Sequence, residues 1–154
     1  MTRTSKLILL VSGLLLTQPA FTDNKDPNLG YIKARQADMQ LRKFNAGPLF
    51  AMAKGDMDYD AAMAGKLADN LKTLLSLDMS RAWATGTDSD AYEESDSKKA
   101  IWDTYPEIGN YGKKYAAAVR ELADVAGNGL DAMKPKAQAV GKTCKACHDE
   151  FREK

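Results

Sequence analysis

Two thiols and an imidazole are crowded into five residues near the C-terminus, Cys144-Lys145-Ala146-Cys147-His148. They are the only two cysteines and the one histidine of the chain. Thiols at this spacing can each add to one vinyl group of a haem. The histidine directly after the second thiol is then held beneath the iron as an axial ligand. Competing uses of the same atoms are poorly served. A structural zinc site wants four Cys or His ligands, and nothing is left to complete one. A thioredoxin-type redox dithiol sits after a strand, early in an α/β domain, whereas this motif closes a helical chain. The motif points to one covalent haem c, with Cys144 and Cys147 as attachment points and His148 on the iron.

Such a site needs elements that bring an opposing wall over the motif, and the periodicity predicts helices throughout. The first runs from about Asn28 to Ala53. Ile32, Arg35, Met39, Lys43, Ala46, Phe50 and Ala53 recur at spacings of three and four and define its inner face. Two of those positions are cationic, which an ordinary core stripe avoids. Gly47-Pro48 should kink or split this helix. Asp58 is the expected N-cap of a second helix reaching about Leu77. A polar connection follows, about Asp78 to Asp96, either a solvated loop or a flap over a haem edge. A third helical segment starts near Ser97, capped by Asp96, and runs to Val125. Within it Pro106 either opens a fresh first turn or bends the helix. Gly127-Asn128-Gly129 is a stop and turn. A fourth helix from about Asp131, with Pro135 near its start, carries the motif on towards Phe151. The fold class is all-α: an antiparallel up-down-up-down four-helix bundle, in which cofactor sites form between facing helices. A haem near the end of the fourth helix would lie against the first, with Phe151 packing nearby.

The 154 residues fit one domain. Residues 1–22 are expected to be a signal peptide. Arg3 and Lys6 form a basic start, Leu7 to Leu16 is an apolar run too short to span a membrane, and Gln18 to Thr22 suits cleavage after Thr22 or after Ala20. Export and covalent haem support each other, because bacterial attachment occurs outside the inner membrane; the expected location is the periplasm. Residues 23–154 form the bundle. The 22 basic residues fall to 20 without Arg3 and Lys6, against 21 acidic ones, a net charge of −1. That balance gives no case for nucleic acid or anionic membranes as partners. With both cysteines on haem, the core depends on helix packing and on the haem itself.

The chain resembles the class II cytochromes c, the cytochrome c′ family. Gly141-Lys142-Thr143 and Asp149-Glu150-Phe151-Arg152 resemble the family's flanks of the haem motif. Arg35-Gln36 resembles its arginine-glutamine signature on the first helix, and Ile101-Trp102 its isoleucine-tryptophan. The resemblance covers about residues 28–154. It implies that Arg35 pairs with a haem propionate and that Arg152 stands near the proximal face of the haem. It also implies a role for Met39, four residues after that arginine. Low-spin members, the cytochrome c-556 type, carry a methionine there that binds iron; high-spin members leave the iron five-coordinate. Met39 with His148 would give an electron carrier serving unidentified periplasmic redox proteins. The alternatives are a five-coordinate binder of nitric oxide or carbon monoxide, and a haem-free helical binding module. A bis-histidine iron within one chain is excluded by the single histidine. No nucleophile–base pair suggests an enzyme, and the chain is expected to be a monomer or a homodimer.

Overall fold

The computed structural model describes residues 26–154; the expected signal peptide lies outside them. Helix α1 spans Pro27–Lys54. Its first turn is fixed by Pro27 at the first helical position and by Asp26, whose Oδ1 accepts from the Asn28 N–H at 2.9 Å. It ends at Gly55, whose φ of 88° is the left-handed conformation a glycine adopts without strain. Pro48 does not split it. The lost N–H falls beside exposed Phe44 and Gly47, where water can reach the freed carbonyl, while buried Leu49 and Met52 hold the following turn in place.

Helix α2 is Ala61–Leu74. Its cap is Asp60 and not Asp58: the Asp60 Oδ1 accepts from the Met63 N–H at 2.8 Å. It stops a turn short of Leu77, which is exposed. The expected third helix is two pieces. A single turn, α3 (Ala100–Asp103), is followed by α4 (Glu107–Ala123), which restarts just after Pro106. Asp96 does not cap α3, which starts after Lys99 with no side-chain cap. Helix α5, Leu130–Phe151, runs through Pro135 and the whole Cys144–His148 motif.

Helix α1 packs on α2, α2 on α4, α4 on α5 and α5 back on α1. That closed ring is a four-helix bundle, with α3 as a short extra turn. Leu49, Met52, Leu71, Val119, Leu122, Met133 and Val140 fill its centre, each at most 1% exposed. The inner face of α1 is rotated from the expected one. Asp38, Asn45, Leu49 and Met52 are buried, while Lys43 and Met39 are exposed. Arg42 therefore turns inward where Lys43 was expected. Phe151 is buried against Tyr111 of α4, edge to face at 5.3 Å between ring centroids.

The connection before α3 is neither loose nor fully solvated. A 3-10 turn, Ser80–Trp83, packs on α1, and Ala82, Thr87, Asp88 and Ser95 are buried. Its far end is stitched to the end of α5: the Lys98 N–H donates to the Phe151 carbonyl at 2.9 Å and the Glu153 N–H to the Asp96 carbonyl at 2.8 Å. Tyr92 ties it to the start of α1, donating to Asp26 Oδ2 at 2.7 Å and accepting from Asn28 at 2.8 Å. No helix among the described residues is long and apolar enough to cross a membrane.

Capping makes a direct test of the corrected α2 start. Asp60→Ala should lower stability by about 1 kcal/mol, and Asp58→Ala should stay within about 0.5 kcal/mol of the parent. Urea denaturation followed by circular dichroism reads both; the reverse order would restore Asp58 as the cap.

Candidate haem site

A stripe along α5 sets the site. Met133, Ala137 and Val140 are buried at spacings of four and three, and Cys144, Cys147 and His148 continue the same face. Cys144 is half-buried and packs against the bundle core. Cys147 is half-buried and His148 is exposed. The helix thus carries its two thiols and the imidazole out of the packed core on one continuous side. Burial pushes both thiols up from their usual range, with Arg42 partly opposing this at Cys144. They are protonated thiols at neutral pH, the form that adds across a vinyl group. Partial desolvation of the ring and the neighbouring Arg152 charge push His148 down, so its imidazole is neutral and available as a ligand. Among the described residues no group of three His, Cys, Asp or Glu side chains could hold a bare metal ion. The donor set instead suits haem: two thiols for attachment and one imidazole for iron.

Helix α1 supplies the opposing wall. The Phe50 ring lies 3.8 Å from where a side chain on Gly141 of α5 would begin, so the two helices touch at that level. The neighbouring helices run antiparallel. Seven residues along each, towards the motif, bring His148 level with Lys43, and Met39 stands about 6 Å further on. Met39 shares with Ala46, Phe50 and Ala53 the flank of α1 that meets α5. Its side chain is 42% exposed and not part of the packed core. A haem on Cys144 and Cys147 would therefore face the 39–46 stretch, with Met39 at its margin.

Arg35 is placed differently from Met39. It is 4% exposed and enclosed by the connection before α3. Nη1 donates to the Ala82 carbonyl at 3.1 Å and to Thr87 Oγ1 at 2.7 Å; Nη2 donates to Ser95 Oγ at 2.7 Å and to the Thr87 carbonyl. Its guanidinium carbon stands 5.6 Å from the Trp83 ring centroid and 5.8 Å from that of Trp102. Burial lowers its pKa, and Asp88 partly offsets this. Only Nε–H lacks an acceptor among the described residues, so a propionate would have to use that donor or displace one of the four. The neighbouring Gln36 also reaches the connection, donating to the Glu94 carbonyl at 2.7 Å. Arg152 lies just past α5; its N–H donates to the His148 carbonyl at 3.1 Å, and Ser97 pairs with it in an isolated antiparallel bridge. Its charge bears on His148 through space.

Sequence reasoning missed two residues at this wall. Asp38 and Arg42 form an ion pair at 2.8 Å, with side chains only 6% and 18% exposed. The signal was present as an acid and a base four residues apart on one helix, a pattern that normally marks a solvated face.

The comparisons with known proteins agree with this geometry. The family model for cytochrome c′ matches residues 30–152. A cytochrome c′ of Cereibacter sphaeroides is 37% identical over 145 residues, 94% of this chain and 97% of its own. A solved cytochrome c′ from Rhodobacter superposes with a TM-score of 0.81 at 38% identity, covering 82% of this chain and 98% of that one. Two solved variants of the Alcaligenes xylosoxidans cytochrome c′, one with carbon monoxide bound and one ferrous with nitric oxide bound, are 28% and 27% identical. Each has a TM-score of 0.71 and covers 82% of this chain; the matches span 97% and 96% of theirs. The chain belongs to the cytochrome c′ family, and its cofactor is one covalent haem c.

The Arg35 cage generates a prediction about the connection it holds. Arg35→Leu strips four acceptors of a buried charged donor, which should cost about 2–4 kcal/mol. Amide hydrogen exchange between Ala84 and Ser95 should accelerate well beyond that of α4. Unchanged protection there would show that the cage does not hold the segment.

Proposed function

We propose that this cytochrome c′ binds a small diatomic gas, nitric oxide or carbon monoxide, at the haem face opposite His148. The observation that carries the reading is the likeness along nearly the whole chain to cytochromes c′, among them solved forms holding each of these two gases. When bound, the haem supplies an iron that can change oxidation state and accept a ligand. The chain's own residues do the rest. Cys144 and Cys147 fix the haem at two points, and His148 is the single imidazole able to hold the iron from α5. Met39, at the margin of the α1 stretch that would face the haem, is exposed and free of the core packing that would press it onto the metal. A loosely held sulfur is weak competition for a gas. In this reading the role is to bind a ligand. Location in the periplasm fits the expected signal peptide and a haem attached outside the inner membrane. The chain would work there as a monomer or a homodimer.

The second reading, an electron carrier with His148 and Met39 both on the iron, is favoured by one observation: Met39 is on the α1 flank that meets α5, four residues after Arg35. Thioether ligation would stabilise ferrous iron and keep it six-coordinate. Gas binding would then require the sulfur to leave.

The two readings separate on one variant. If the gas-binding reading holds, the native ferrous protein has a high-spin, five-coordinate visible spectrum and takes carbon monoxide rapidly, and Met39→Ala leaves both unchanged. A native spectrum that is low-spin in both oxidation states and turns high-spin in Met39→Ala, with a lowered potential, would establish the carrier instead.

A further inference from the structure

One feature near the haem wall is unaccounted for by either reading: a buried ion pair with spare hydrogen-bonding capacity. Asp38 accepts from Arg42 Nε through Oδ2 at 2.8 Å, but its Oδ1 is buried with no partner. It is the one such orphan among the described residues. Arg42 is similarly underused. Its Nη2 reaches the Leu74 carbonyl only at 3.4 Å. Its guanidinium carbon stands 5.1 Å from the centroid of the Tyr115 ring of α4. Burial opposes its charge, but hydrogen bonding with Asp38 and Tyr115 more than restores it, so it is a permanent cation. The same cation acts through space on Cys144, one of the two haem attachment points.

A purely structural role explains this poorly. The ion pair itself lies within one helix, and the contacts of Arg42 to other helices are one long hydrogen bond to Leu74 of α2 and a ring face of Tyr115 on α4. Burying two charges carries a large desolvation penalty, which a pair with an unsatisfied oxygen does not fully recover. What remains open is the Asp38 Oδ1 acceptor beside the Arg42 guanidinium, on the bundle-facing side of α1, one residue from the level of His148 and close enough to act on Cys144. A haem joined through Cys144 would place its vinyl edge near Arg42. The propionates leave from the opposite edge of a haem, so they are not the groups this arginine serves.

We infer that Asp38 and Arg42 form a polar binding site beside the sixth coordination position of the haem, in which Arg42 donates a hydrogen bond to a small ligand carrying partial negative charge. Asp38 is the positioning residue: it fixes the guanidinium and leaves Oδ1 as an acceptor for water when no such ligand is present. The inference rests on the reading of the chain as a haem protein that admits a ligand. It does not depend on whether Met39 binds the iron beforehand, because the site acts on the ligand that takes the position.

The test uses the full haem-loaded protein in its ferrous form with carbon monoxide as the probe. The C–O stretching frequency senses the local field, and the affinity senses the hydrogen bond. Arg42→Met should raise the stretching frequency and weaken binding about tenfold, the scale of one charge-assisted hydrogen bond. Arg42→Lys should restore part of both. The double variant Asp38→Asn with Arg42→Met, which strands no buried carboxylate, should shift the frequency in the same direction and keep the protein folded if the single variant is too unstable. Frequencies and affinities equal to the parent's, in variants that retain full covalent haem, would overturn the inference and leave the haem reading intact. A parent protein without covalent haem would overturn both.

Discussion

Everything at this site depends on the helical register of three side chains. Cys144, Cys147 and His148 fall at positions i, i+3 and i+4 of one helix, so they share a face. That face is also the one by which α5 enters the bundle core, through Met133, Ala137 and Val140. The attachment chemistry and the hydrophobic packing are therefore locked together. A shift of α5 by one residue would turn the thiols away from α1 and expose Val140. The bundle fixes the rotation of the helix, and the rotation aims the cofactor.

The second constraint is the anchoring of α1, because that helix forms the opposite wall. Its inner flank is held by Leu49 and Met52 at the core end, and by Arg35 at the other. Arg35 organises the connection before α3 through four hydrogen bonds and two indole faces, and that connection is in turn joined to the end of α5 beyond His148. A closed path thus runs from α1 through the connection to the helix that carries the haem ligands. It gives Arg35 a structural reason to exist independent of any propionate.

Much of this was legible in the sequence. The haem motif identifies itself by residue types and spacing, and the four main helices follow from their periodicity and their glycine stops. Helix starts were harder. Asp58 and Asp60 are equally good caps by type, and only the backbone geometry at Asp60 decides between them. The rotation of α1 is hidden because Met39 and Lys43 continue a regular three–four count that includes Phe50 and Ala53. Burial prefers a face some 60–100° away, since two of its members, Asp38 and Arg42, neutralise each other inside the bundle. Pairing of that sort is a tertiary property, and periodicity counts each residue alone. The ordered state of the connection was equally hidden. Its polar composition reads as solvated, yet Thr87 and Ser95 are polar because they are acceptors for a buried arginine.

The central claim is that Cys144 and Cys147 hold a haem covalently on the last helix of the bundle. The most direct measurement is haem-specific staining of the purified protein after full denaturation and electrophoresis, beside a variant carrying Cys144→Ala and Cys147→Ala. The account predicts a haem band that migrates with the chain of the native sequence and is absent from the variant. A native chain that loses its haem on denaturation, or a variant that retains it, would contradict the account.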